Sequence, residues 1–113
     1  MQTKDQLCLE SILEATERII EYTHGFISAD EFNTDYRNFD ATMMNFVVMG
    51  EMVDKLSNNF KRDHSNIDWI KIKGFRNIIA HDYFGIDAEE VWQIIKNKIP
   101  DLRSDIQMLI NKI

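Results

Sequence analysis

With 113 residues, 44% of them hydrophobic, the chain carries enough apolar side chain for one core without disulfides or a structural metal, so a single domain over 1–113 is expected. The lone Cys8 excludes an intramolecular disulfide, and no apolar run approaches the roughly 20 residues that cross a bilayer, since Met43 to Met49 is broken by Asn45. A formal net charge of −6 argues against a protein that coats nucleic acid at large, because phosphate binding depends on clustered Lys and Arg.

Few glycines, a single proline and abundant Leu, Ile, Met, Glu and Lys favour helix over strand. Thr3 followed by Gln6, just ahead of Leu7, Leu9, Ile12, Leu13, Ile19 and Ile20, has the form of a capping box opening an amphipathic helix. That helix is expected to run to about Thr23 and to end at Gly25. Ser28 with Glu31 forms a second capping box before Phe32, and from Phe39 through Met43, Phe46, Val47, Gly50, Val53 and Leu56 the apolar residues recur every three or four positions. The polar stretch 57–66 reads as a loop. Asn66 or Asp68 then caps a helix containing Trp69, Ile70, Ile72, Phe75, Ile78 and Ile79, and Gly85 suits its end. Asp87 with Glu90 makes a third capping box before Val91, Trp92, Ile94 and Ile95, and Pro100 fits the first turn of a last helix through Leu102, Ile106, Leu109 and Ile110. The expected architecture is all-α, a single-domain bundle of five or six helices without internal repeats or linkers.

Charge is unevenly spread along these elements. Between residues 61 and 81, Lys61, Arg62, Lys71, Lys73 and Arg76 face only Asp63 and Asp68, a local balance of +3 that leaves −9 on the remainder. Such asymmetry fits a local anion site on an acidic protein and equally fits a solvated helix face. Within the same stretch, Gly74-Phe75-Arg76-Asn77-Ile78-Ile79-Ala80-His81-Asp82-Tyr83 is the densest run of chemically capable side chains. On a regular helix Asn77 and His81 share a face, whereas Arg76 and His81 stand about 140° apart. One helix therefore does not bring the Arg and the His together; side-chain reach, distortion at the helix end or a cleft shared with a second subunit is required. Taken alone, Arg76 reads as a surface residue paired with Asp82 or another acid, and His81 as a helix C-terminal residue favoured by the dipole.

Trp69, Gly74, Arg76-Asn77, Ala80-His81, Tyr83 and Ile86-Asp87 together resemble the signature of HepT-like proteins of the HEPN superfamily, whose core is R-x4-H-x-Y. The resemblance extends over nearly the whole chain and includes Gly50-Glu51 on the long middle helix. It implies a HEPN-type helical bundle that forms a homodimer, with paired Arg and His residues lining an interfacial cleft, and metal-independent cleavage of RNA without a cofactor. On that reading His81 takes or gives the proton of a ribose 2′-hydroxyl or leaving oxygen, and Arg76 stabilises charge on the phosphorane-like transition state. Asn77 orients His81, bonds the phosphate, or is a structural amide. Tyr83 is either a packing aromatic whose hydroxyl reaches solvent or, as the resemblance implies, the acceptor of AMP from a nucleotidyltransferase antitoxin. Glu51 supports the cleft or belongs to a polar network.

Other signals carry less. Glu21-x-x-His24 has the spacing of a di-iron ligand pair but has no second copy, so no metal site is expected. His64 reads as a solvent-exposed loop residue, Cys8 as buried, and the methionines as core or interface filling. The N-terminal run MQTKDQLCLE lacks the apolar core of a signal peptide and, with Cys8, points to a reducing cytoplasmic location. Two function classes remain open at this point. One is a toxin-type endoribonuclease acting on RNA under a nucleotidyltransferase antitoxin; the other is a non-catalytic helical accessory module that binds such an enzyme and its nucleotide or substrate.

Overall fold

The computed structural model describes residues 3–113, which form seven α-helices and one 3₁₀ turn. In chain order they are α1 (Lys4–Thr23), α2 (Ala29–Thr34), α3 (Tyr36–Lys55), α4 (Asn58–Asp63), α5 (Trp69–His81), the 3₁₀ turn (Tyr83–Gly85), α6 (Ala88–Asn97) and α7 (Ile99–Lys112). No described residue lies in a strand. Among the described residues no helix is long and apolar enough to cross a membrane.

Local chemistry sets most of the boundaries. The Thr3 hydroxyl accepts the Gln6 N–H at 3.1 Å and the Gln6 side chain accepts the Thr3 N–H at 2.8 Å, a complete capping box. At Ser28 half of the expected box forms, the hydroxyl accepting the Glu31 N–H at 3.2 Å. Asp68, rather than Asn66, caps α5 by accepting from Lys71 N–H at 3.0 Å, and Asp87 caps α6 through the N–H groups of Glu89 and Glu90. Gly25 sits where α1 stops, but no described glycine has a positive φ, so the end is made by His24 N–H reaching Glu21 O rather than by a left-handed glycine.

The bundle exceeds the expected five or six helices because two short ones divide the chain further. Asp35 separates α2 from α3 and caps the latter through Asn38 N–H at 3.1 Å. The supposed loop 57–66 contains α4, whose N-cap Ser57 accepts from Phe60 N–H and is itself bound to Asp5 on α1, N–H and hydroxyl donating to the carboxylate at 2.8 and 2.7 Å. His64, expected in solvent, is half-buried with its ring 4.4 Å from that of Phe60, and its carbonyl accepts the Trp69 indole N–H at 3.0 Å.

The core forms because α3 packs against α1 on one side and α5 on another, while α7 closes over α1 and α6 spans α2 and α7. Leu9, Ile12 and Ile19 of α1, Met43 and Met49 of α3, and Ile106 of α7 are almost wholly removed from water, each burial stabilising the fold by roughly 1.5–3 kcal/mol. At one end Phe32 is enclosed by Phe26, Phe39 and Trp92, with ring centroids 5.2–5.8 Å away. Toward the other, Phe46 and Phe75 meet edge to face at 5.5 Å and fasten α3 to α5.

Those two helices approach each other closely at Gly50. A Cβ built there would lie 2.5 Å from the Cβ of Arg76, an atom fixed to the α5 backbone that cannot swing aside. Only a glycine lets α5 settle at this depth. Gly50→Val is expected to lower the unfolding free energy by about 2–3 kcal/mol, because overpacking of this kind exceeds the few tenths regained from helix propensity. Chemical denaturation checks it; a variant as stable as the parent would show that α3 and α5 are not in hard contact here.

Candidate active site

The motif helix α5 lies with Arg76 against α3 and His81 at its C-terminal end. Arg76 is half-buried, its carbon stem laid over Gly50 and its guanidinium Nε 2.7 Å from the Glu51 carboxylate. The expected alternative pairing with Asp82 does not occur: the Asp82 side chain instead accepts the Gly85 N–H at 3.0 Å and closes the 3₁₀ turn. One turn before Arg76, Lys73 Nζ lies 2.8 Å from Asp54 Oδ1, and this hydrogen bond holds the Asp54 carboxyl below its ordinary range. Glu51, left between two roles by sequence, is thus the partner of the motif arginine.

His81 is the last residue of α5 and is exposed, as are Asn77 and Ala80. Asn77 and Ala80 occupy the arc between Arg76 and His81, which a regular helix holds about 140° apart. Among the described residues no side-chain hydrogen bond joins Arg76, Asn77 and His81, so the orienting bond from the Asn77 side chain is not seen. The structure brings Arg76 to Glu51, and it does not bring Arg76 to His81.

Tyr83 is tied down more firmly than a solvent-pointing hydroxyl would be. Its ring stands edge-on to Phe39 at 6.2 Å and to Phe84 at 5.9 Å, and its hydroxyl donates to Oδ1 of Asp40 on α3. Burial, then the hydrogen bond and the charge of Asp40, push the phenol up to about 12. Asp40 belongs to no sequence motif and is the neighbour of Phe39 on the apolar stripe of α3. At 100° per residue Asp40, Met44, Val47, Glu51 and Asp54 line one edge of α3. Three acids on that edge therefore hold Tyr83, Arg76 and Lys73.

Exposed apolar side chains accompany the motif: Ile70 and Ile78 on α5, Phe84 in the 3₁₀ turn and Met44 on α3. Elsewhere, Cys8 is buried as expected, and burial pushes its thiol up, away from the reactive thiolate. Among the described residues no group of three or more His, Cys, Asp or Glu gathers in a geometry that could hold a metal ion.

Comparison with known proteins adds to this geometry. The family model described as "Ribonuclease HepT-like" matches residues 12–109. The chain belongs to the HepT-like ribonuclease family. A protein named "Putative RNase" from Caldanaerobacter subterraneus subsp. tengcongensis is 33% identical over 104 residues, 92% of each chain. Another, named "Probable ribonuclease HepT", from Thermococcus cleftensis, is 34% identical over 101 residues, 89% of this chain and 91% of that one. No solved structure matches the chain significantly.

In this HepT-like chain the Tyr83 clamp has a measurable signature. A phenol with a folded-state pKa of about 12 against an ordinary 10.0 stabilises the fold fully below about pH 10, and that contribution is lost as pH rises toward 12. Unfolding free energy is therefore expected to fall more steeply across that interval in the parent than in Tyr83→Phe. Parallel pH profiles from denaturant titrations would contradict the clamp.

Proposed function

We propose that this chain, as one domain over 1–113, is a metal-independent endoribonuclease, the cytoplasmic toxin of a toxin–antitoxin pair. The observation that carries the reading is an intact Arg76-x4-His81-x-Tyr83 motif in a HepT-like chain, with Arg76 fixed against α3 by Gly50 and Glu51 and His81 exposed at the end of α5. An imidazole exchanges protons in the neutral range and serves as general base or acid. His81 takes the proton of a ribose 2′-hydroxyl as that oxygen attacks the adjacent phosphorus, or gives one to the departing 5′-oxygen. The O2′–P bond forms, the P–O5′ bond breaks, and a 2′,3′-cyclic phosphate remains. Negative charge growing on the phosphoryl oxygens is met by the permanently charged Arg76, whose planar fork suits phosphate. Glu51 engages it through Nε, which fixes the plane of the group while it works.

Two copies complete the site on this reading. A two-fold axis beside residues 76–83 sets the Arg76 of one protomer near the His81 of the other, which removes the difficulty of a single helix carrying them on diverging sides. The exposure of Ile78 and Phe84 in the single chain supports the same arrangement, which would cover them. Control is proposed to come from a nucleotidyltransferase antitoxin that transfers AMP to Tyr83, placing bulk and negative charge two residues from His81.

Arg76→Ala and His81→Ala are each expected to reduce RNA cleavage at least about 100-fold and to abolish toxicity while the circular dichroism spectrum is retained. Cleavage by the parent should persist in EDTA and leave 2′,3′-cyclic phosphate ends, read by mass spectrometry of the products. Light scattering should return about twice 13.4 kDa. A folded His81→Ala protein that cleaves at the parent rate, or an activity lost on chelation and restored by Mg²⁺, would refute the mechanism.

A further inference from the structure

Asp40 has no part in the cleavage chemistry above, yet its carboxylate accepts the hydroxyl proton of Tyr83 in a hydrogen bond that joins α3 to the turn after α5. The contact is not an accident of two mobile side chains. Phe39, buried and adjacent to Asp40, stands edge-on to the Tyr83 ring and limits where its oxygen lies. Asp40 itself is exposed, so the hydrogen-bonded pair sits at the surface, within reach of another enzyme.

The chemistry of a phenol as nucleophile makes that partner consequential. With the phenol pushed up to about 12, only about one molecule in 10⁵ is phenolate at neutral pH. Attack on phosphorus must then begin from the neutral hydroxyl and hand its proton over as the new bond forms. An aspartate bonded to the attacking hydroxyl is the device by which protein kinases meet this requirement. Here the acceptor of the group brings its own aspartate.

We propose that Asp40 is the proton acceptor for nucleotidyl transfer onto Tyr83. This rests on the reading of Tyr83 as the modified residue. The Tyr83 Oη attacks the α-phosphorus of a nucleoside triphosphate presented by the nucleotidyltransferase. The Oη–P bond forms, the bond from the α-phosphorus to the oxygen bridging the β-phosphorus breaks, and pyrophosphate leaves with that electron pair. The phenolic proton passes to Asp40 and from there to solvent. The product removes the hydrogen-bond donor and sets a phosphodiester anion beside the carboxylate, so the bond that fastened the 3₁₀ turn to α3 is lost at the same moment.

A structural staple and a proton acceptor are separable by Asp40→Asn. The amide oxygen still accepts the Tyr83 hydrogen bond but cannot take the proton. The full chain is incubated with a candidate nucleotidyltransferase antitoxin and ATP labelled at the α-phosphorus, and incorporation at Tyr83 is followed against chain concentration. Asp40→Asn is expected to keep the parent melting temperature and RNA cleavage rate and the parent KM for the chain as substrate. Its kcat for incorporation should fall at least about 100-fold, with part of the loss recovered in Asp40→Glu. If the parent is labelled on Tyr83 and Asp40→Asn is labelled with the same kcat, the proton-acceptor role is overturned while the modification stands. If the parent takes no label, or Tyr83→Phe takes as much as the parent, both are overturned.

Discussion

Everything distinctive about this bundle depends on the absence of one side chain, that of Gly50. Because no Cβ stands there, α5 can lie against α3 so closely that the Arg76 Cβ occupies the space a side chain at position 50 would need. The arginine stem is then confined between two helices, and its guanidinium is delivered to Glu51, the next residue along α3. Apolar packing supplies the energy for this contact, chiefly through Phe46 on Phe75 and the buried Ile72 and Ile79. The ion pair contributes little to stability, about 0–1 kcal/mol for a pair this exposed. Its effect is on orientation.

The same division of labour holds along the rest of the helix pair. The apolar stripe of α3 faces the core, and the acids one residue further round, Asp40, Glu51 and Asp54, reach over the seam to Tyr83, Arg76 and Lys73. A chain with a net charge of −6 thereby uses part of its negative charge to hold Tyr83, Arg76 and Lys73 along the seam. The local excess of bases between residues 61 and 81 is correspondingly tempered by α3, and the site presents individually oriented cations rather than a broad positive field. That suits an enzyme acting at one phosphate better than a protein that coats nucleic acid.

Much of this architecture was legible in the sequence, and the failures have physical causes. Helix starts at Thr3, Ser28, Asp68 and Asp87 could be read because a cap is a local contract between residues two or three apart. The helix α4 was missed because it is six residues long, buries no residue of its own, and so lacks the apolar period by which helices are recognised; Ser57 as an N-cap was the available signal. The motif Arg76, His81 and Tyr83 was visible as residue types, and Glu51 was noticed beside Gly50. Asp40 was not, because its meaning lies in a partner 43 positions away that only the docking of α5 on α3 brings within reach. Of the pairings open to Arg76 in the sequence, Asp82 or another acid, the second forms, with Glu51, because the Asp82 carboxylate is engaged by the backbone of the turn it starts.

If Gly50 and Glu51 matter by orienting Arg76, activity should depend on Glu51 far more than stability does. The direct measurement is the single-turnover rate of RNA cleavage by Glu51→Ala beside its unfolding free energy. The account predicts a rate loss approaching about 100-fold, the cost of a misplaced catalytic group, with stability changed by no more than about 1 kcal/mol. A Glu51→Ala protein that cleaves at the parent rate would contradict it.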